Sequence, residues 1–316
     1  MKRKSITRIR AHEAGISLLE LLTRRFTYHN RQEWKDVIHA GQVMLNQQSA
    51  LPKAILAAGD TVEYFTPDSP EPAVDTRFSI LFEDEALLVA NKPGNLPCHP
   101  AGRYFNHTLW GLIKARFDLP YLTFVNRIDR ETSGIVLLAK TRRAALICRQ
   151  QFESLGVSKR YVALVEGEFP AGEIRASGYL AHDPESAVRK KLRFYPAESS
   201  QETPASGKTC STVLRRIRSR KGVTQMEAIP ETGRVHQIRA TLSSLGYPVV
   251  GDKLYGVDDT LFLHFINGRL NGHDRQRLRL ARQALHSAEL HMTHPETGNP
   301  LQLTAPVPED MQRLME

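Results

Sequence analysis

A chain of 316 residues, 41% of them hydrophobic, can bury one sizeable core plus a small module or two comparable domains, which excludes a lone small binding domain. Forty-three Lys and Arg against thirty-four Asp and Glu give a formal charge of +9, an excess that suits a polyanionic partner and equally suits solubility alone. Cys98, Cys148 and Cys210 are odd in number and far apart, which excludes a paired zinc or iron–sulfur framework, and no apolar run is long enough for a membrane span. The expectation is a soluble, cytoplasmic monomer with no membrane association and no obligate protein partner.

In chain order, SLLELLTRRF (17–26) places Leu18, Leu19, Leu21 and Leu22 on one helical stripe, and QEWKDVIHAG carries a second short helix that Gly41 can end in a left-handed cap. QVMLN and GDTVEYF alternate as short strands. Two helices followed by a small sheet resemble the S4-like RNA-binding domain, with the match centred on residues 17–65, on HAGQVMLN and GDTVEY. That resemblance implies that Arg24, Arg25, Arg31 and Lys35 meet RNA phosphates; read without it, they serve equally well as solvent-facing charges. TPDSPEPAVD (66–75) is rich in Pro and acid and is expected to link domain 1–65 to domain 76–316.

The larger domain reads as strand, acidic turn at 83–85 and strand across FSILFEDEALLVANKP, then a buried strand GIVLLAK (134–140). Thr141 can cap the helix that carries Ala145, Ile147, Cys148 and Phe152. YVALVEG from Tyr161, TCSTVLRRIRS and VTQMEAIPETG are strands, and RVHQIRATLSSLG is helical up to Gly246. The polar stretch 195–209 is expected as an exposed hairpin or insertion. Strands mixed with helices indicate an α+β fold.

The densest polar cluster is VNRIDRETSG (125–134). Asp129 lies between Arg127 and Arg130, and either cation, if close, would favour the ionised carboxylate that a nucleophile requires. A structural ion-pair network fixing the turn, with Thr132 and Ser133 bonded to backbone, accounts for the same residues. NRIDRETSGIVLLAK, however, resembles the catalytic motif of the RluA family of RNA pseudouridine synthases. The resemblance extends over about residues 76–308 through LLVANKPGNLPCHP, SKRYVALVEG, ETGRVHQIRATLSSLGYPVVGD and LHSAELHMTHPETG, the last resembling a terminal strand pair.

The resemblance implies a mixed, largely antiparallel catalytic sheet, with Asp129 as nucleophile, Tyr161 as the active-site tyrosine and Arg239 as the partner of Asp129. Arg127, Asn126, Thr132, His236 and Gln237 are the implied substrate contacts. Asn126 departs from the family's usual histidine, and Gly94–Asn95 departs from an order in which glycine lies one residue later. The implied reaction moves uracil from an N1 to a C5 linkage and demands no cofactor. Its target is structured RNA, ribosomal RNA being favoured over transfer RNA, with the uridine in a loop or flipped out. Arg103, Lys114, Arg116, Arg142, Arg143, Arg189, Lys190 and Lys191 are further candidates for RNA contact. An RNA-binding protein with an idle synthase-like domain is the alternative; it leaves the joint presence of Asp129, Tyr161 and Arg239 unexplained. His286, His291 and His294 do not have metal-site spacing, and glycine-rich nucleotide loops, G-x-S-x-G and zinc-deaminase motifs are absent.

Overall fold

The computed structural model describes residues 3–26, 29–66, 71–188, 190–198, 206–266 and 268–316. The chain divides into two compact units, Met1–Pro72 and Ala73–Glu316.

In the smaller unit, β1 (Arg3–Arg8) precedes α1 (Leu18–Arg25) and α2 (Arg31–His39), and β2 (Val43–Leu45), β3 (Gln48–Ser49) and β4 (Thr61–Thr66) follow. The sheet order is β1-β4-β2-β3. Ser17 caps α1 by accepting from the Glu20 amide, and Asn30 and Glu33 cap α2 reciprocally. The leucine stripe of α1 packs with Trp34, Ile38, Val43, Leu56 and Val62, and Gly41 takes φ +70° after α2. The expected order of two helices then strands omitted β1, whose sequence RKSITR lacks the apolar alternation that marks a half-buried strand.

The larger unit is built on a single sheet. Its elements are β5 (Ser79–Glu83), β6 (Leu87–Lys92), α3 (Leu109–Arg116), β7 (Thr123–Phe124), β8 (Ser133–Ala139), α4 (Arg142–Glu153), β9 (Ser158–Glu166), β10 (Glu173–His182), β11 (Leu192–Pro196), β12 (Lys208–Arg220), β13 (Val223–Pro230), α5 (Gln237–Ser244), α6 (Thr260–Ile266), α7 (Gly272–Leu278), β14 (Leu285–Thr293), β15 (Pro300–Thr304) and α8 (Glu309–Leu314). The strands run in the order β11-β10-β12-β13-β9-β14-β8-β6-β5, with β15 on β14 and β7 on β8. All these pairings are antiparallel except β14 with β8, which is parallel through His286–Ser133 and Ser287–Gly134. The mixed, largely antiparallel α+β fold is therefore present.

Every residue of β8 is buried, as expected of a short continuous apolar run, and Thr141 caps α4 by accepting from the Ala144 amide. Apolar residues pack on both sides of this strand, Ile135 and Leu137 with Ala145 and Cys148, Val136 and Leu138 with Leu109 and Ile113. A third cluster joins β9, β12 and β13 to α5.

Some boundaries differ from expectation. Residues 73–75, read as linker, belong to the larger unit: Val74 packs beside Phe78, and the Asp75 amide donates to the Asn95 carbonyl. Thr66 ends β4, and residues 67–70 of the expected linker lie outside the described residues. The stretch 195–209 is not all hairpin loop, because Leu192–Pro196 forms an edge strand against β10 and Lys208 already starts β12; residues 199–205 lie outside the described residues.

Gly134 sits where β8, β6 and β14 meet. Its φ is +110°, and a Cβ there would collide with the Ser287 carbonyl oxygen across the parallel pair. Gly134→Ala should therefore destabilise the protein by about 3 kcal/mol or more. Urea denaturation read by fluorescence and circular dichroism measures this directly; a loss under about 1 kcal/mol would show that the strand pair yields at this point.

Candidate active site

The loop that carries Asp129 is fastened on both sides. The Asn126 side chain accepts from the Leu137 amide (2.7 Å) and donates to the Ile135 carbonyl (3.5 Å), tying the loop to β8. Beyond Asp129, the Arg130 carbonyl accepts from the Leu96 amide and from Lys92 Nζ (3.0 Å each). Lys92 also donates to the carbonyls of Pro93 and Leu96, and its complete burial lowers its pKa to about 8. The adjoining Gly94–Asn95 turn has the left-handed backbone at Asn95 (φ +56°). Asparagine tolerates that conformation better than most residues, so the displaced glycine leaves the turn intact.

Arg239, on the first turns of α5, joins two carboxylates. Its Nη1 donates to Asp129 Oδ2 at 2.6 Å, while Nε and Nη2 donate to the two oxygens of Asp252 at 2.6 and 2.9 Å. Asp252 also accepts from the amides of Leu254 and Tyr255. Side-chain exposure is 0% for Asp252, 9% for Arg239 and 32% for Asp129, so only Asp129 offers its carboxylate to an incoming molecule. Burial pulls the pKa of Asp129 upward, but the Arg239 charge, His236 and the hydrogen bonds from Arg239 and Gln283 outweigh it and hold the group below the ordinary carboxylate value. Asp252 is lowered by the same contest between burial and Arg239, and Arg239 itself is raised.

His236 adopts φ +55° just before α5, with Nδ1 2.9 Å from the Tyr255 hydroxyl and Nε2 3.9 Å from Asp129 Oδ1. Burial, reinforced by Arg239, pushes its pKa down to about 4, so it is neutral near neutral pH. Tyr161 lies on β9 opposite Ser287 of β14; burial raises its pKa, and the Asp129 charge adds to that rise. Asp129, Tyr161, Arg127, Thr132 and His236 line one cleft of about 760 Å³. A smaller lobe of about 360 Å³ opens to the same carboxylate between Tyr104, Lys190, Lys253, Phe262 and Phe265.

The structure brings Asp129, Tyr161, Arg239, His236, Thr132 and Arg127 together. It corrects the electrostatic expectation for Asp129: neither flanking arginine pairs with it. Arg127 reaches His99 at 3.1 Å, and Arg130 binds the Tyr104 hydroxyl, Glu131 and the face of Phe265. Gln237 and Asn126 line the cleft, but their amides brace its walls instead of facing it; Gln237 binds Thr232, the Arg234 amide, the Ser211 carbonyl and Thr212. Thr132 accepts from Gln283, which also reaches Asp129 at 3.5 Å.

Asp252, Gln283, Lys253 and Tyr255 had not been singled out. Asp252 carried one available signal: in VVGDK an acid follows two apolar residues and a glycine, a setting in which a buried carboxylate needs a cation.

Of the outlying cations, Lys190 reaches the smaller lobe, its Nζ 4.1 Å above Phe262. Lys191 pairs with Asp259, Arg143 with Glu296, and Lys114, Arg116 and Arg142 lie over aromatic rings. Arg103 is exposed, and Arg189 lies outside the described residues. In the smaller unit Arg24 pairs with Glu20 and Arg25 with Glu13, whereas Arg31 and Lys35 share one face of α2. His286 binds Ser133 and the Ala305 carbonyl, His294 binds Asp84, and His291 approaches Glu289, so the three histidines have separate partners.

The two-sided grip of Arg239 separates stability from chemistry. Arg239→Ala strands the fully buried Asp252 and should destabilise the fold by about 3–5 kcal/mol. Adding Asp252→Asn removes the stranded charge and should recover more than half of that loss, read by thermal unfolding. Equal stability of the single and double variants would mean that Asp252 is not the group that depends on Arg239.

The RNA pseudouridylate synthase family model matches residues 86–244, a span that contains Asp129, Tyr161 and Arg239. A protein of Zymomonas mobilis named ribosomal large subunit pseudouridine synthase D is 32% identical over 314 residues, covering 95% of this chain and 92% of that protein. The mitochondrial tRNA pseudouridine(32) synthase of Saccharomyces cerevisiae is 30% identical over 242 residues, 77% of this chain and 51% of that protein. Among solved structures, human RNA Pseudouridylate Synthase Domain Containing 1 superposes with a TM-score of 0.57 at 25% identity, covering 75% of this chain and 86% of that one. With its sheet, its cleft and these relatives in agreement, the chain belongs to the RNA pseudouridylate synthase family and is an RNA pseudouridine synthase of the RluA type.

Proposed function

We propose that this enzyme isomerises selected uridines in structured RNA, ribosomal RNA foremost, with Asp129 as the nucleophile. The observation that carries the reading is the Asp129 carboxylate, kept ionised by Arg239 and yet the one member of the Arg239 network open to the cleft. Breaking the N1–C1′ bond and joining C5 to C1′ leaves one proton too many on C5 and one too few on N1. Net transfer of that proton completes the isomerisation without redox change. Arg239 keeps the attacking carboxylate charged and oriented, and Tyr161 supplies an aromatic wall for the base.

The ribosomal target draws support from the name of the Zymomonas relative; the yeast relative makes transfer RNA the second outcome of the test. The units 1–72 and 73–316 are read as an S4-like RNA-binding module and the catalytic domain, the first supported by its two capped helices, its small sheet and the exposed Arg31. The protein is read as a cytoplasmic monomer. Its three cysteines are buried and unpaired, which fits a reducing compartment, and among the described residues no helix is long and apolar enough to cross a membrane.

Pseudouridines are to be mapped in ribosomal and transfer RNA from cells with and without the gene, then with Asp129→Asn restored in its place. A site that disappears with the gene, returns with the wild type and stays absent with the folded Asp129→Asn protein is the expected result. Return of the modification with Asp129→Asn would remove the residue from chemistry.

A chain beginning at Ala73 should fold and keep the cleft, yet bind a large structured RNA more weakly than the full chain. That advantage of the full chain should shrink as salt rises, because phosphate contacts release counterions. Identical affinity and salt slope for the two proteins would end the S4-like assignment.

A further inference from the structure

Lys159 and Arg160 are neighbours on β9 with opposite environments. Successive side chains of a strand face opposite sides of the sheet, so Lys159 shares its face with Tyr161 and Arg160 does not. Arg160 is neutralised by Glu227 at 2.9 Å and by Glu289. Lys159 lines the Asp129 cleft and, among the described residues, has no carboxylate within ion-pairing distance. Its ammonium lies 5.8 Å from the Phe152 ring centre, and a Cβ added at Gly233 would stand 3.9 Å from Nζ, so the charge overhangs the exposed turn before His236.

The cleft does not end at this lysine. A second hollow of about 760 Å³, lined by Leu155, Ser158, Glu231 and His291, shares Lys159 and Pro230 with it. Glu231, the carboxylate lining that hollow, is already held by Arg175 and by the Ser211 hydroxyl. Partial withdrawal from water lowers the Lys159 pKa, the mark of a cation whose hydration is reduced without a counter-ion in exchange. An arriving anion would restore that balance. Two residues along a strand span about 7 Å, so an anion at Lys159 stands roughly one nucleotide from a base against Tyr161.

We propose that Lys159 anchors a backbone phosphate of the nucleotide flanking the target uridine, and that the groove beyond it carries the RNA strand out of the cleft. The proposal rests on the RNA-modifying reading above and extends it to a specific contact. Arg160, equally basic and adjacent in sequence, is excluded from this role by its two glutamates.

The test uses the full chain and a short RNA hairpin that presents the mapped target uridine as the only uridine of its loop, so that only one register places a uridine in the cleft. Binding by fluorescence anisotropy over a salt series compares wild type, Lys159→Met, which keeps the length of the chain without its charge, and Lys159→Arg. Lys159→Met should bind about tenfold more weakly, with a salt slope shallower by about 0.7, and Lys159→Arg should recover most of both. In conversion assays the loss should fall on KM and not on kcat. A single neutral methylphosphonate is then moved through the linkages beside the uridine: at one position it should weaken wild type and leave Lys159→Met unaffected.

Wild-type affinity and slope in Lys159→Met, or equal sensitivity of both proteins to every methylphosphonate, would overturn the anchor while leaving the enzyme reading in place. A defect confined to kcat would overturn it as well, since a phosphate anchor acts on binding. Failure of the wild type to bind or convert the RNA would instead count against the RNA reading itself, and the anchor would fall with it.

Discussion

One guanidinium organises this site. Arg239 holds a fully buried carboxylate, Asp252, with two of its nitrogens and an accessible one, Asp129, with the third. A buried acid without a partner is among the more expensive features a fold can contain, so the position of Arg239 is set first by Asp252 and by the two backbone amides that fasten Asp252 in turn. The accessible carboxylate then receives a rigid countercharge whose placement does not depend on whether RNA is bound. This is preorganisation in a strict sense: the charge that would favour a nucleophilic carboxylate is already in place when substrate arrives.

The sheet explains why so few elements suffice. Among the described residues its only parallel pairing, β8 with β14, joins the antiparallel run β9 to β11 on one side to the shorter antiparallel run β6 to β5 on the other. Asp129 precedes β8, Gln283 precedes β14, Tyr161 stands on β9, and Arg239 enters from the helix that follows β13. Residues far apart in sequence therefore converge where the two halves join. The close approach at Gly134 lets the two runs meet backbone to backbone at Ser287, whose other neighbour in the sheet is Tyr161.

Much of this was legible from the sequence, for different reasons in different places. β8 declared itself as an uninterrupted apolar run and α4 through Thr141, both local signals. Asp129, Tyr161 and Arg239 were legible only because long strings around them resemble a family; by charge alone Arg127 and Arg130 were the nearer partners, and both turn elsewhere. Asp252 and Gln283 stayed hidden because their partners lie 13 and 151 or more residues away, beyond any periodic pattern. β10 was unread for a similar reason: EIRASGYLAH mixes exposed charge with Gly178, whose lack of a side chain admits the Tyr195 carbonyl from the neighbouring strand, a fit that only the pairing reveals.

The chain between Asp252 and Gln283 leaves the sheet, forms α6 and α7, and comes back to where it departed: the Ala284 amide donates to the Val250 carbonyl, while both strands of chain bond Leu164. Each end is moored to the site, one through Arg239 and the other through Asp129 and Thr132. The excursion between them supplies Lys253, Phe262 and Phe265 to the smaller lobe. Such a segment is an exchangeable cassette. A change of length or lining beyond Tyr255 would alter what the mouth of the cleft admits, while the Leu254 and Tyr255 amides and the closed backbone junction at its base keep the carboxylates in place.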